Sequence, residues 1–345
     1  MLAVLLYHKV VKWPSFDVWW KTFDLEMSIL KKLFRVVDLD QILEYLHLQR
    51  LPDNPTVAIT FDDGYADNWI YAYPILKKHR LKATLFITTS RIQKSDKRRP
   101  TLLDYWEGKV GLKELYTPKT MHEANLEFLK ERISEDFLTV GEIRSMRDVF
   151  NFGWHSVHHT KDFYEEKILG FYEGKGHWSL LHAYGEEPRT GYPLFPLKGS
   201  LSVRVGKLRK EVKEFIKSLG KNFFQRKEWK RELSSLLKKN FSSMLEFEDP
   251  VERYERITRE ILLAKEELEG LTDQKVYHGA YPFGDYDDLL KSRLSEYLSS
   301  AFTTEKRSIL LGDDPYLLPR ITVPKDLWSF MYIVVKLFRR RIKHV

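Results

Sequence analysis

The chain has 345 residues, 43% of them hydrophobic and 31% charged, with a net charge of +8 and no cysteine. That hydrophobic content supplies a sizeable core and excludes a disordered chain, and the length suits two average domains or one large α/β domain with an insertion. Without cysteine there is no disulfide framework and no thiolate metal site, so a bound metal would have to be held by His, Asp or Glu.

The N-terminus, Met1-Leu2-Ala3-Val4-Leu5-Leu6-Tyr7-His8-Lys9, lacks a basic leader, a long apolar stretch and a small-residue cleavage site. No apolar run reaches the roughly 18–20 residues of a membrane span. The expected location is the cytoplasm, with peripheral contact at the inner membrane face.

Short runs with β-branched or aromatic content predict strands at residues 2–6, 57–61, 83–87, 150–154, 276–280 and 301–303. Between the first two, Phe16, Trp20, Phe23, Met27, Leu30 and Phe34 recur at three- and four-residue spacing, the pattern of one helix face. Ile70, Tyr73, Ile75 and Leu76 predict another helix before residue 83. Alternation of strand and helix argues for a parallel α/β sheet or barrel, whose chemistry sits at the C-terminal ends of its strands.

From about Thr160 to Asp249 the strand signals fade and the sequence turns basic. Between Arg204 and Lys239 thirteen Lys or Arg face four Glu, a net of +9, so the rest of the chain is close to neutral. Residues 160–249 are therefore expected to form an inserted, largely helical basic subdomain, splitting a discontinuous unit of residues 1–159 and 250–345. Within it Val205, Leu208, Val212, Phe215, Ile216 and Leu219 form an apolar stripe beside Lys207, Arg209, Lys210, Lys213 and Lys217. Such a basic amphipathic helix either offers charge to an anionic partner such as the phosphates of a membrane surface, or docks its stripe on its own protein. The run at 327–335 is too short to span a bilayer and leads into Lys336 and Arg339-Arg340-Arg341. No nucleic-acid reading motif is present, and no such partner is expected.

Two motifs carry chemistry. In Ile59-Thr60-Phe61-Asp62-Asp63-Gly64-Tyr65 a strand ends in adjacent carboxylates followed by glycine. Side by side they repel unless a cation or proton is shared, which suits one metal ligand and one general base; a helix-capping turn is the plainer reading. In Gly153-Trp154-His155-Ser156-Val157-His158-His159, His155 and His159 stand four apart, which on a helical turn would aim both imidazoles at one divalent ion. Both motifs follow predicted strands, so they belong on one rim, and two His with one carboxylate leave coordination positions open.

On these residues the sequence resembles the polysaccharide deacetylase family, the fourth carbohydrate esterase family, whose fold is a distorted (β/α)7-type barrel. Thr60-Phe61-Asp62-Asp63-Gly64 is similar to its first motif and His155-Ser156-x-x-His159 to its second. The resemblance implies a divalent metal at Asp63, His155 and His159, zinc in the first place, with cobalt or nickel as alternatives. It implies that Asp62 is the base activating a metal-bound water, and that the substrate is an N-acetylated glycan or a lipid- or nucleotide-linked precursor. The third motif departs from the family: Gly279-Ala280-Tyr281-Pro282-Phe283-Gly284 has Ala280 where an arginine is usual. By resemblance Tyr281, Pro282, Phe283 and Gly284 line the substrate site, with an oxyanion donor from Phe283 or Gly284, and Arg320 stands in for the arginine. The family's Leu-x-His acid is matched by Leu6-Tyr7-His8 at the opposite end of the chain, whereas His344, the only histidine after Gly284, lies in a basic tail. His8 reaches the site only if first and last strands are neighbours. An O-deacetylase on the same scaffold, or a non-catalytic glycan- or lipid-binding barrel, remains an alternative.

Overall fold

The apolar N-terminal run forms strand β1 (Leu2–Tyr7), buried along its whole length as a strand covered on both faces must be. The structure, a computed structural model, describes residues 1–342 and side chains through residue 338; His344 and the side chains of the 339–341 arginines lie outside the described residues. Seven more strands complete the main sheet: β2 (Arg35–Val37), β3 (Thr56–Phe61), β4 (Ala83–Ile87), β5 (Phe150–Trp154), β6 (His278–Ala280), β7 (Ser300–Phe302) and β8 (Ile321–Thr322). Their order is β7-β6-β5-β4-β3-β1-β8, with β2 pairing β3, and all pairings are parallel. The sheet curls into a distorted barrel whose seam is bridged where Leu318, just before β8, pairs with Phe302 of β7. All six predicted strands are present; β2 and β8, only three and two residues long, have no apolar run of their own.

Two features of this order matter for the site. Parallel strands all end on one rim, and β1 lies between β3 and β8, pairing Leu5 with Ile321. First and last strands are therefore neighbours, the condition His8 needed.

Helix α1 (Trp20–Leu33) buries Trp20, Phe23, Met27 and Leu30 as the periodicity required. Phe16 falls outside it and is exposed, because Val18 and Trp19 pair with Val10 and Val11 in a two-stranded ribbon that delays the helix. Ile70 lies in a π-helical turn leading into the helix Tyr73–His79, and Ile70, Tyr73, Ile75 and Leu76 are all buried.

A second apolar cluster draws its buried members, among them Phe163, Leu208, Val212, Ile216, Leu233 and Leu237, entirely from residues 163–245. Besides helices, this stretch carries a four-stranded antiparallel sheet ordered Leu197–Gly199, Lys161–Phe163, Gly206–Leu208, Leu245–Phe247. Three-residue strands leave no periodic signal, which is why the sequence read as helical. The expected amphipathic helix begins only at Lys210 and ends at Ser218; Leu208 lies on a strand, and Val212 and Ile216 pack into the local cluster. Its stripe is docked on its own protein. Much of its charge is matched as well, with Lys207 on Asp162, Lys217 on Glu186, and Lys213 donating to the Tyr184 carbonyl. Among the described residues no helix is long and apolar enough to cross a membrane.

We propose that residues 160–249 fold as a unit between the two barrel segments, 1–159 and 250–345. Leu233→Ala, at a fully buried position, should then cost about 2–5 kcal/mol and lower only one of two unfolding transitions in a calorimetric scan. One transition shifting as a whole would show that the segment is not a separate unit.

Candidate active site at the barrel rim

Asp62 extends the β3 ladder, its amide donating to the Tyr7 carbonyl at 3.2 Å. The chain then reverses through Asp63 and Gly64, both left-handed at φ 75° and 80°. Glycine adopts that conformation without strain; aspartate does so at a modest penalty, tolerated where surrounding structure enforces it. The reversal keeps both carboxylates at the rim instead of on opposite faces of the sheet.

Asp62 faces Arg320, whose guanidinium donates to both carboxylate oxygens at 2.7 Å. The same arginine donates to the Thr303 carbonyl at 3.1 Å and to Thr60 Oγ1 at 3.4 Å, and is fully buried. Burial would raise the Asp62 pKa, but the charges of Arg320 and His155 outweigh it and hold the carboxyl below its usual range. Arg320 is thus the charge that Asp62 meets.

Asp63 faces the histidines instead. The Nε2 atoms of His155 and His159 each lie 3.3 Å from Asp63 Oδ1, yet neither completes a hydrogen bond, and that oxygen is buried without a donor. Ligand atoms of Asp63, His155 and His159 all lie within 4.8 Å of one another. His155 Nδ1 sits 2.8 Å from the Ala280 carbonyl, which can only accept, so Nδ1 carries the proton and Nε2 faces Asp63. Burial opposes protonation of both imidazoles but with unequal results. Asp62 and Asp63 raise His155 above its ordinary value, whereas His159, with His155 and Arg91 beside it, is pushed down to about 3. An orphaned carboxylate oxygen facing two imidazole nitrogens is unfavourable as it stands and fits a divalent cation.

The histidine motif is not helical, contrary to the sequence expectation. Ser156 and His159 are left-handed at φ 68° and 47°, and the His159 amide donates to Ser156 Oγ at 3.0 Å. The turn is held from outside by two residues the sequence did not single out. Glu260, on helix α2 (Pro250–Thr272), accepts from the Val157 amide at 2.7 Å and the His158 amide at 3.3 Å, and pairs with His158 Nδ1. Arg91, fully buried, donates to the carbonyls of His158 and His159 at 3.4 Å. Glu260 is one of many glutamates on an amphipathic helix, and Arg91 ends a short 3-10 turn, Thr89–Arg91; neither carries a distinguishing pattern.

His8 follows β1 directly, and β1 pairs its Tyr7 with Phe61, so His8 and Asp62 leave adjacent strands at the same level. Its charge is among those lowering both Asp62 and Asp63. Asn68 Nδ2 donates to the His8 carbonyl at 3.0 Å and the Val10 amide to Asp67 Oδ1 at 2.8 Å, which fixes the chain on both sides of the imidazole.

The third motif divides. Tyr281 is buried in the barrel core with its hydroxyl on the Tyr316 carbonyl, so it supports the site from beneath and does not line it. The Gly284 amide donates to the Tyr281 carbonyl at 2.8 Å and is thereby engaged within the turn. Phe283, left-handed at φ 61°, sets its ring 4.2 Å from that of His159. Pro282 is buried and, with His159, lines a cavity of about 650 Å³ between the histidine turn and the 160–249 segment.

The polysaccharide deacetylase family profile matches residues 49–167, the stretch that holds both motifs. Over that stretch, about a third of its length, the chain is similar to this family. A Bacillus subtilis (strain 168) protein, YxkH, provisionally assigned as a polysaccharide deacetylase, is 37% identical over 87 residues, 25% of this chain and 31% of that protein. The chain thus aligns with about a third of the length of that relative. Among solved structures, a de-N-acetylase from Aggregatibacter actinomycetemcomitans superimposes with a TM-score of 0.58 at 13% identity, covering 96% of this chain and 98% of the other. The Streptococcus pyogenes deacetylase PplD in complex with acetate gives 0.55 at 17% identity, covering 97% of each. IcaB from Ammonifex degensii gives 0.53 at 16%, covering 96% and 95%. At these identities the shared property is the fold.

Removing the guanidinium in Arg320→Met should cost about 3–5 kcal/mol at neutral pH, because Asp62 is left buried and unpaired. The folded Asp62 pKa is depressed, so the stabilisation exists above the unfolded value near ~3.9 and disappears as pH falls through the folded one. Urea unfolding should therefore show the penalty at pH 7, a smaller one below about pH 4, and partial recovery in Arg320→Met/Asp62→Asn. A penalty independent of pH would assign Arg320 a packing role alone.

Proposed function

We propose that this chain is a metal-dependent hydrolase that removes acetyl groups from N-acetylated sugars of a glycan or of a lipid- or nucleotide-linked glycan precursor. The observation that carries the proposal is the pairing on one rim of an arginine-clamped Asp62 with a converging Asp63, His155 and His159. The family match and the deacetylase activities named for the structural relatives support the same reading.

A divalent ion held by Asp63, His155 and His159, zinc first and cobalt or nickel as alternatives, would polarise the acetyl carbonyl and lower the pKa of water. Asp62, ionised and locked by two hydrogen bonds, takes the proton from the attacking water. The Phe283 amide donates to the carbonyl oxygen as it gains negative charge. His8 protonates the sugar nitrogen as the C–N bond breaks, because an amide nitrogen leaves poorly as an anion. Acetate and the free amine are the products. Left-handed backbone at Asp63, Ser156, His159 and Phe283 supports the reading, since such conformations gather where geometry must be held against local preference. A lipid-linked substrate would bring the enzyme to the inner membrane face.

His155→Ala and His159→Ala should lose both bound metal, by elemental analysis, and acetate release. Asp62→Asn should keep the metal and lose at least about a hundredfold in kcat. Undiminished metal in both histidine variants would sink the ligand assignment, and acetate release from O-acetyl but not N-acetyl substrates would replace the N-deacetylase with an esterase. Glu260→Gln, which weakens the clamp on the histidine turn, should retain one metal per chain at about 10–100-fold lower affinity in a chelator competition.

A further inference from the structure

Several lysines of the 160–249 segment face acids: Lys207 meets Asp162, Lys210 meets Glu214, Lys217 meets Glu186 and Lys230 meets Glu173. Lys161 does not. Among the described residues its ammonium meets no carboxylate, although the side chain is half-buried and its Nζ lies 4.4 Å from the centre of the Phe283 ring. Because Phe283 in turn packs on His159, this unmatched cation stands one aromatic ring away from the triad.

Its surroundings add positive charge and hydrogen-bond donors. His177 and Trp178, from the same segment, place their rings 6.3 Å and 6.2 Å from that of Phe283. His177 Nδ1 accepts the Ser179 amide at 3.1 Å, so the other ring nitrogen bears the proton and is free to donate. The positive charge of Lys161 bears on His177. Arg91, 5.4 Å from the Trp178 ring, gives its donors to Asn125 and two backbone carbonyls and pairs with no acid. A partly desolvated ammonium without a counter-charge is unfavourable in itself and becomes favourable when an anion comes to it.

We infer that Lys161, with His177 and the Phe283–Trp178 wall, is a subsite for a phosphate carried by the glycan beside the sugar being deacetylated. The wall suits the apolar face of a sugar ring, and a lysine suits phosphate as a point charge. The inference rests on the deacetylase reading and deepens it: the barrel supplies the reaction, and the unmatched charge of the adjoining segment selects a phosphorylated substrate. It also moves the expected anionic contact from the 210–218 helix, whose lysines are largely matched, to the rim of the site.

The test uses the full chain loaded with zinc and two probes, triacetylchitotriose and its 1-phosphate. The phosphorylated sugar should show a KM about tenfold lower at low ionic strength, the scale of one favourable charge pair, and lose most of that advantage in high salt. Lys161→Met should remove most of the preference and Lys161→Arg keep it, while Lys210→Met, at an exposed position away from the site, leaves it untouched. Calorimetric titration of the same proteins reads the preference without turnover. If neither sugar releases acetate but phosphate-dependent binding is lost in Lys161→Met, the deacetylase reading fails and the subsite stands. If acetate is released with equal KM and equal affinity for both sugars, or the preference survives in Lys161→Met, the subsite is overturned alone. Inorganic phosphate binding as tightly as the glycan phosphate would overturn the assignment to a glycan.

Discussion

Two adjacent carboxylates buried at the end of one strand are intolerable to a protein interior unless each meets its own positive charge, and much of this architecture follows from meeting that demand. Asp62 is matched by Arg320, 258 positions later in the chain. That contact exists only because the parallel sheet curls until β8 lies against β1, which brings Arg320 into the barrel beneath the rim. Asp63 is matched incompletely, by two imidazoles that approach without hydrogen-bonding. The inequality is informative. Asp62 has both oxygens satisfied by Arg320, whereas Asp63 retains an oxygen without a donor among the described residues.

The same logic explains where the backbone is left-handed. Arg80, Arg132 and Asp273 have positive φ as helix caps, where that conformation closes the last turn. Asp63, Ser156, His159 and Phe283 cap no helix. The turn through Ser156 and His159 is held by Glu260 on the Val157 and His158 amides and by Arg91 on the His158 and His159 carbonyls, and Phe283 sits in the turn closed by the Gly284 amide and packs on His159. The geometry of the histidine turn is therefore a property of the assembled barrel, and an isolated peptide with the His155–His159 spacing would not reproduce it.

The sequence carried the long strands and the chemistry-bearing residues because both are dictated locally: an apolar run of five or six residues has few alternatives, and two carboxylates before a glycine have few plain uses. It did not carry β2 or β8, whose pairing is set by neighbours. It did not carry the left-handed turn at Ser156 either, since four-residue spacing reads most simply as a helix. Glu260 and Arg91 escaped for a different reason. Their roles depend on which backbone groups they face after folding, and composition treats them as two more surface charges. The basic stripe at 205–219 was legible as amphipathic, but the matching of Lys207 and Lys217 by Asp162 and Glu186 was not, because those acids lie some thirty to forty-five residues upstream.

That last mismatch changes what the 160–249 segment is for. A net of +9 counted along the sequence suggests a broad basic surface, yet much of that charge is neutralised by the segment's own acids. Among the described residues Lys161 meets no acid, and it lies two residues beyond His159, held against Phe283. Position follows from connectivity: the segment begins where the histidine turn ends, so its first residues cannot lie far from the triad. If the proposed function holds, a barrel that fixes base, ligands and acid leaves little freedom to choose among acetylated sugars. A segment anchored at the histidine turn, with its own apolar core, could vary its rim-facing side chains without disturbing the carboxylate pair. On this reading reaction and selection occupy separate parts of the chain and meet at one aromatic ring, Phe283, which touches His159 on the barrel side and Lys161 on the other.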